Sequence, residues 1–138
     1  MAKKMEPIVK KWYDYLADGK LMGLKCEECG TVHFPPFPIC RECAGTNMEW
    51  VEMSGKAQVD GIALTLSPDH WFAEYAPFYN ADGKTAEGSN FSTILLGLDP
   101  MSDQDDIFNN FVTKLPVQVE IEIQDRGDYH YPVYRYTN

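Results

Sequence analysis

The chain has 138 residues and a mass of 15.7 kDa, room for one compact domain or one domain with a small appendage. A hydrophobic content of 44%, with three Trp, eight Tyr and seven Phe, can build a core and excludes wholesale disorder. Twelve Lys+Arg against 21 Asp+Glu leave a formal net charge of −9, which argues against nucleic-acid or anionic-membrane binding, where phosphates call for a basic surface.

The N-terminal segment is predicted to be a helix. Ile8, Trp12 and Leu16 recur at i, i+4 and i+8, Val9 and Tyr13 run beside them, Pro7 suits the first turn, and Gly19 is placed to end the helix. Such a stripe has to be covered, by the rest of the chain or by another protein. Behind Met1 to Pro7 there is no apolar signal core, and no run approaches the roughly 20 apolar residues of a membrane span, so the cytoplasm is the expected compartment.

Residues 21–50 change character. A short strand over 20–25 leads to Cys26-Glu-Glu-Cys29-Gly30, then a link with Pro35, Pro36 and Pro38, then Cys40-Arg-Glu-Cys43. Proline forbids a helix between the pairs. All four cysteines fall into C-x2-C-x10-C-x2-C, two tight turns that aim four sulfurs at one centre, the ligand set zinc favours. Gly30 lets the first turn curl so that backbone amides face the sulfurs. Iron held as in rubredoxin uses the same ligands; zinc is favoured because no redox-partner motif accompanies the site. Disulfides would use the same residues but belong to oxidising compartments. Four protein ligands close the coordination shell, so the metal is expected to be structural.

From Met48 onward the pattern is mainly β. Ala57 to Leu66 reads as a strand pair, or one strand bent around Gly61; 91–98 reads as a buried strand; Val117, Val119, Ile121 and Ile123 alternate strictly with polar residues; and 129–136 is a last aromatic strand behind a hairpin link at 125–128. Ser102 or Asp103 can cap a helix carrying Ile107, Phe108, Phe111, Val112 and Leu115. Several strands and one helix suit a small Greek-key barrel such as an OB-fold. The expected class is therefore mainly β with short helices: helix over 1–20, zinc ribbon over 21–50, OB-fold-like domain over 51–138. Residues 67–90 read as an aromatic insertion in that domain, too long for an ordinary connection, with a turn at Asn80-Ala-Asp82-Gly83.

No independent catalytic constellation stands out. His33, His70 and His130 are isolated in sequence, Ser67, Asp69 and His70 lack the context of a triad, and no phosphate-binding glycine loop occurs. Trp12, Trp71, Phe72, Tyr75, Phe78 and Tyr79 are the candidate contacts with a partner or substrate, as interface anchors or walls of an apolar pocket. Charge is polarised along the chain: six lysines against three acids in residues 1–25, and eight acids against Lys114 and Arg126 in residues 99–128. Ordinary solvated faces account for this, and electrostatic steering of a partner is the alternative.

Gly19-Lys-Leu21, Cys26-Glu-Glu-Cys29-Gly30, Pro35-Pro36, Cys40-Arg-Glu-Cys43 and Glu49-Trp50-Val51-Glu52 carry a further signal. In this order the chain resembles a family of small proteins that join a rubredoxin-like zinc ribbon to an OB-fold. The likeness is most specific from Trp12 to Gly55 and weakens beyond. It implies a non-catalytic subunit working with a thiolase-like catalytic subunit in a hetro-oligomer, with the CoA thioester a ligand of the complex. The aromatic-rich segment then implies an aromatic acyl group, as in thiolytic cleavage of benzoylsuccinyl-CoA during aromatic-compound degradation. The other function class is a free-standing acyl-CoA or single-strand nucleic-acid binding OB-fold module.

Overall fold

A computed structural model describes residues 7–66 and 77–137. Helix α1 spans Pro7–Ala17 and ends as its sequence requires. Gly19 adopts φ 80°, the Lys20 amide bonds to the Tyr15 carbonyl at 2.8 Å and the Gly19 amide to Leu16 at 3.0 Å, the paired bonds of a Schellman stop. Three short strands follow, β1 (Met22–Cys26), β2 (Val32–His33) and β3 (Met48–Glu52), in a sheet of order β2-β1-β3.

The remaining strands, β4 (Lys56–Thr65), β5 (Phe78–Thr85), β6 (Asn90–Leu96), β7 (Val117–Asp125) and β8 (His130–Arg135), close a barrel in the order β4-β5-β6-β8-β7. Between β6 and β7 lies α2 (Gln104–Asn110), capped by Asp103, whose carboxylate accepts from the Asp105 amide at 2.8 Å. The mainly β class, with an N-terminal helix, a ribbon and a C-terminal five-stranded barrel, is as expected. β4 is one strand, and a register shift between Val59 and Gly61 supplies its bend.

Two expectations need correction. The segment 67–90 is not an insertion throughout: its second half is β5, paired with both β4 and β6, and the expected turn at Asn80–Gly83 lies in mid-strand. β5 escapes a hydropathy reading because its inward residues are mostly small: Tyr79, Ala81, Gly83 and Thr85 are buried, while Asp82 and Lys84 face outward. Gly83 must be small, since a Cβ there would stand 2.1 Å from the Gln58 carbonyl oxygen and 3.2 Å from the Tyr134 hydroxyl. The helix expected through Leu115 stops at Asn110; Phe111 leaves helical geometry (φ −125°), and a 3-10 turn over Val112–Lys114 completes the link.

One core runs through all three parts. Trp12 and Leu16 of α1, Phe34 behind β2, and Val59, Tyr79, Phe91, Val119 and Tyr134 of the barrel belong to one buried cluster. The stripe of α1 is thus covered by this chain itself. Phe34 joins the parts, its ring 5.6 Å from that of Trp12 and 4.9 Å from that of Phe91, both edge-on. The Ser89 hydroxyl, in the β5–β6 turn, donates to the Val32 carbonyl and ties ribbon to barrel. No helix among the described residues is long and apolar enough to cross a membrane.

Candidate metal centre and barrel-face cleft

Both cysteine pairs are built by the same backbone device. In the first, the Gly30 amide bonds back to the Cys26 carbonyl and the Cys26 amide to the Thr31 carbonyl, each at 2.8 Å; in the second, Ala44 bonds to Cys40 and Cys40 to Gly45, again at 2.8 Å. The residue after the second cysteine takes positive φ in each, 81° at Gly30 and 62° at Ala44. Each turn therefore folds two sulfurs to one side, and the ribbon strands bring the turns face to face.

The four Sγ atoms lie within 4.8 Å of one another, Cys26 to Cys43 at 3.6 Å and Cys29 to Cys40 at 3.5 Å. A tetrahedral centre with metal–sulfur bonds of about 2.3 Å has sulfur–sulfur edges of about 3.8 Å, so the two short separations fit it. They are far too long for disulfides, and all four thiols are free. Thr31, through its hydroxyl and its backbone amide, holds the Cys29 thiol down to about 6. At Cys43 the Gly45 amide pulls the same way, but the neighbouring thiols of Cys29 and Cys26 push it up to about 12. Thiols packed this closely cannot all ionise against one another, and a cation at their centre removes that repulsion. Cys26, Cys29, Cys40 and Cys43 are positioned to bind a metal ion.

The aromatic candidates separate. Trp12 and Tyr79 are each only 2% exposed, so their rings serve this chain's own core, and the contact role expected for them gives way to a packing role. Phe78 is half-buried and borders a cleft on the barrel face. Trp71, Phe72 and Tyr75 lie outside the described residues, as do Ser67, Asp69 and His70. His33 is buried, and burial lowers its pKa, with Arg41 adding to the shift and Glu42 opposing it.

The cleft measures about 610 Å³, and of its described lining residues the sequence had singled out Phe78 as a candidate contact. Its floor is Asn80, Thr93 and Ile94 of β5 and β6; its rim is Tyr13 of α1 and, from the β7–β8 hairpin, Arg126 and Tyr129. The Arg126 guanidinium stands 5.1 Å from the Tyr131 ring centre and 5.9 Å from that of Tyr129, and its Nε donates to Gln124 Oε1 at 3.2 Å. The available signal was topological: in an OB barrel the middle strands and the loops after the first and fourth strands frame the ligand face, and Arg126 to Tyr129 is the second of those loops.

With this geometry in place, the chain can be compared with known proteins. A family model described as the ChsH2 rubredoxin-like zinc ribbon domain matches residues 14–49. A DUF35 domain-containing scaffold protein of Methanothermobacter thermautotrophicus is 30% identical over 99 residues, covering 71% of this chain and 74% of that protein. The chain belongs to the DUF35 family. A DUF35 scaffold protein of Pyrococcus furiosus is 29% identical over 83% of this chain and 82% of its own length. A protein named as a probable enoyl-CoA hydratase alpha subunit, from Thermomonospora curvata, is 29% identical over 89 residues, 64% of this chain but 28% of that longer protein. Among solved structures, the DUF35 chain superposes on one from the Ltp2-ChsH2(DUF35) aldolase with a TM-score of 0.73 at 22% identity, covering 97% of this chain and 98% of the other. At that identity the likeness concerns the fold, and it extends over helix, ribbon and barrel alike.

Proposed function

We propose that this DUF35 chain is the non-catalytic, zinc-carrying subunit of an acyl-CoA enzyme of the thiolase type. The convergence of its four cysteines on one centre carries the reading, because it commits every thiol of the chain to holding a metal. Relatives and a fold neighbour whose names describe scaffold proteins, an enoyl-CoA hydratase subunit and an aldolase assembly support a partner that performs CoA-linked chemistry. Zinc, held by Cys26, Cys29, Cys40 and Cys43, would supply a closed four-sulfur centre that fixes the ribbon.

The chain's own residues then have distinct roles. Phe34 and Ser89 hold the ribbon against the barrel. The barrel-face cleft offers Phe78, Ile94 and Tyr131 as apolar walls for an acyl group and Arg126 for an anionic part of the thioester. An aromatic acyl group suits that lining, and benzoylsuccinyl-CoA is the first substrate to try. A free-standing acyl-CoA binding module would use the same cleft without a partner. Resolving the chain from its co-purified enzyme separates these readings. Thiolytic turnover of an aromatic acyl-CoA should require both components, and the isolated chain should turn over none. Turnover by the isolated chain, abolished by a point mutation within it, would overturn the subunit assignment.

A further inference from the structure

Strand β4 carries two different edges. From Lys56 to Val59 it is paired on one side with β7 and on the other with β5. Past the bulge, Gly61–Thr65 keeps β5, but the β7 pairing has ended, since β7 begins only at Val117 and the chain before it is the 3-10 turn and Pro116. Among the described residues, no backbone hydrogen bond reaches Gly61–Thr65 from that side. In an antiparallel strand every second residue turns its N–H and C=O to such an edge, and natural edges are usually guarded by Lys, Pro or a covering element. The segment Gly61-Ile-Ala-Leu-Thr-Leu66 contains no Lys or Pro.

Beside this edge runs a groove of about 340 Å³ between β4 and α2, walled by Ile62, Leu64, Ile107, Phe108 and Val112. Phe108 is 57% exposed although it sits on a helix whose neighbour Ile107 is buried. The surroundings are acidic: Asp60 at the bulge and Asp103, Asp105 and Asp106 of the α2 start are all exposed, and none takes part in a salt bridge among the described residues.

We propose that the edge of β4 left open among the described residues and the α2 groove form a docking site for an extended segment of a partner protein, apolar at alternate positions and flanked by Lys or Arg. Three independent features select that occupant. Strand groups with no partner among the described residues ask for a strand, the Ile62–Phe108 groove for apolar side chains at alternate positions, and the four carboxylates without a salt bridge among those residues for positive flanks. Thr65 at the end of this edge also lines the barrel-face cleft, but the α2 groove and that cleft share no residue.

The test uses the full metal-loaded chain, isotope-labelled for NMR, and a blocked eight-residue peptide of alternating valine and lysine or arginine as probe. Amide shifts should concentrate on Gly61–Thr65 and α2. Methylating alternate peptide nitrogens on the pairing edge should weaken binding about tenfold, by removing strand hydrogen bonds. Phe108→Ser and the double change Asp105→Lys with Asp106→Lys should each weaken it about fivefold or more, the second only at low salt. Phe108 is exposed, so its variant should keep the parent melting temperature, with Phe108→Gln in its place if it melts early. Asp105 and Asp106 lie in the first turn of α2, where lysines oppose the helix dipole, so Asp105→Asn with Asp106→Asn replaces the lysine pair if that melts early, under the same criterion. Shifts centred on Arg126 or the ribbon, equal binding of the methylated peptide, or no binding at millimolar peptide would overturn the proposal. Self-association that protects Gly61–Thr65 would overturn it too, by making a second copy the occupant.

Discussion

Replacing Phe34 by alanine removes a ring that touches helix and barrel from the ribbon side. The residue is 2% exposed, with Trp12 at 5.6 Å and Phe91 at 4.9 Å, both in edge-to-face contact. Truncating a buried phenylalanine costs about 3–5 kcal/mol, of which two edge-to-face pairs contribute about 1 kcal/mol each. A domain with a total stability of about 5–15 kcal/mol loses a large part of its margin. With a urea slope of about 2 kcal/mol/M, the unfolding midpoint should fall by about 2 M. Tryptophan fluorescence reports the change directly, because Trp12 packs on the deleted ring. Bound metal, measured on the same sample in native buffer, should stay at the parent level, since the rings that Phe34 packs against belong to α1 and β6 rather than to either cysteine turn. A midpoint shift under about 0.5 M, or metal loss from the folded variant, would refute the idea that this ring joins the parts without supporting the metal site.

Cys29→Ser should abolish metal binding and unfold the ribbon over 26–49 while the barrel persists, because metal binding is coupled to folding in such modules; metal analysis with circular dichroism checks both halves. Ala44→Gly should stabilise the ribbon by about 0.5 kcal/mol, left-handed strain relieved less the added freedom of the unfolded chain, and Gly30→Ala should cost about 1 kcal/mol, read as opposite shifts in resistance to a chelator. Tyr134→Phe should cost about 1 kcal/mol, because the hydroxyl's hydrogen bond to the Phe91 carbonyl at 2.7 Å is lost inside the barrel; urea melts measure it. His33 has a lowered folded-state pKa, so the unfolded chain takes up a proton that the folded chain excludes, and stability should fall as pH drops below about 6.5. In His33→Gln that component of the pH slope should vanish.

What was legible in the sequence follows from how each feature is encoded. The metal site is local, two turns of fixed spacing, and its residues converge as the spacing implies. β7 could be read because one face is buried and the other wet, so Val117 to Gln124 alternate; the bend in β4 was visible as Gly61. β5 could not be read, because its inward face is narrowed by close backbone approach at Gly83 rather than filled by large side chains. The stripe of α1 was visible, but its cover was not, since Phe34 and Tyr131 meet Trp12 only in three dimensions. Beyond Phe78, the cleft was hidden for the same reason: Tyr13, Phe78, Thr93 and Arg126 come from four separate segments.

The central claim is that this chain works as a zinc-carrying subunit of a larger acyl-CoA enzyme, and the most direct measurement is native mass spectrometry of the protein isolated at natural abundance from its source. The account predicts one zinc per copy and recovery in fixed stoichiometry with a larger subunit that, in the complex, turns over an acyl-CoA thioester. Recovery of the chain alone, as monomer or homo-oligomer, or without zinc, would contradict it.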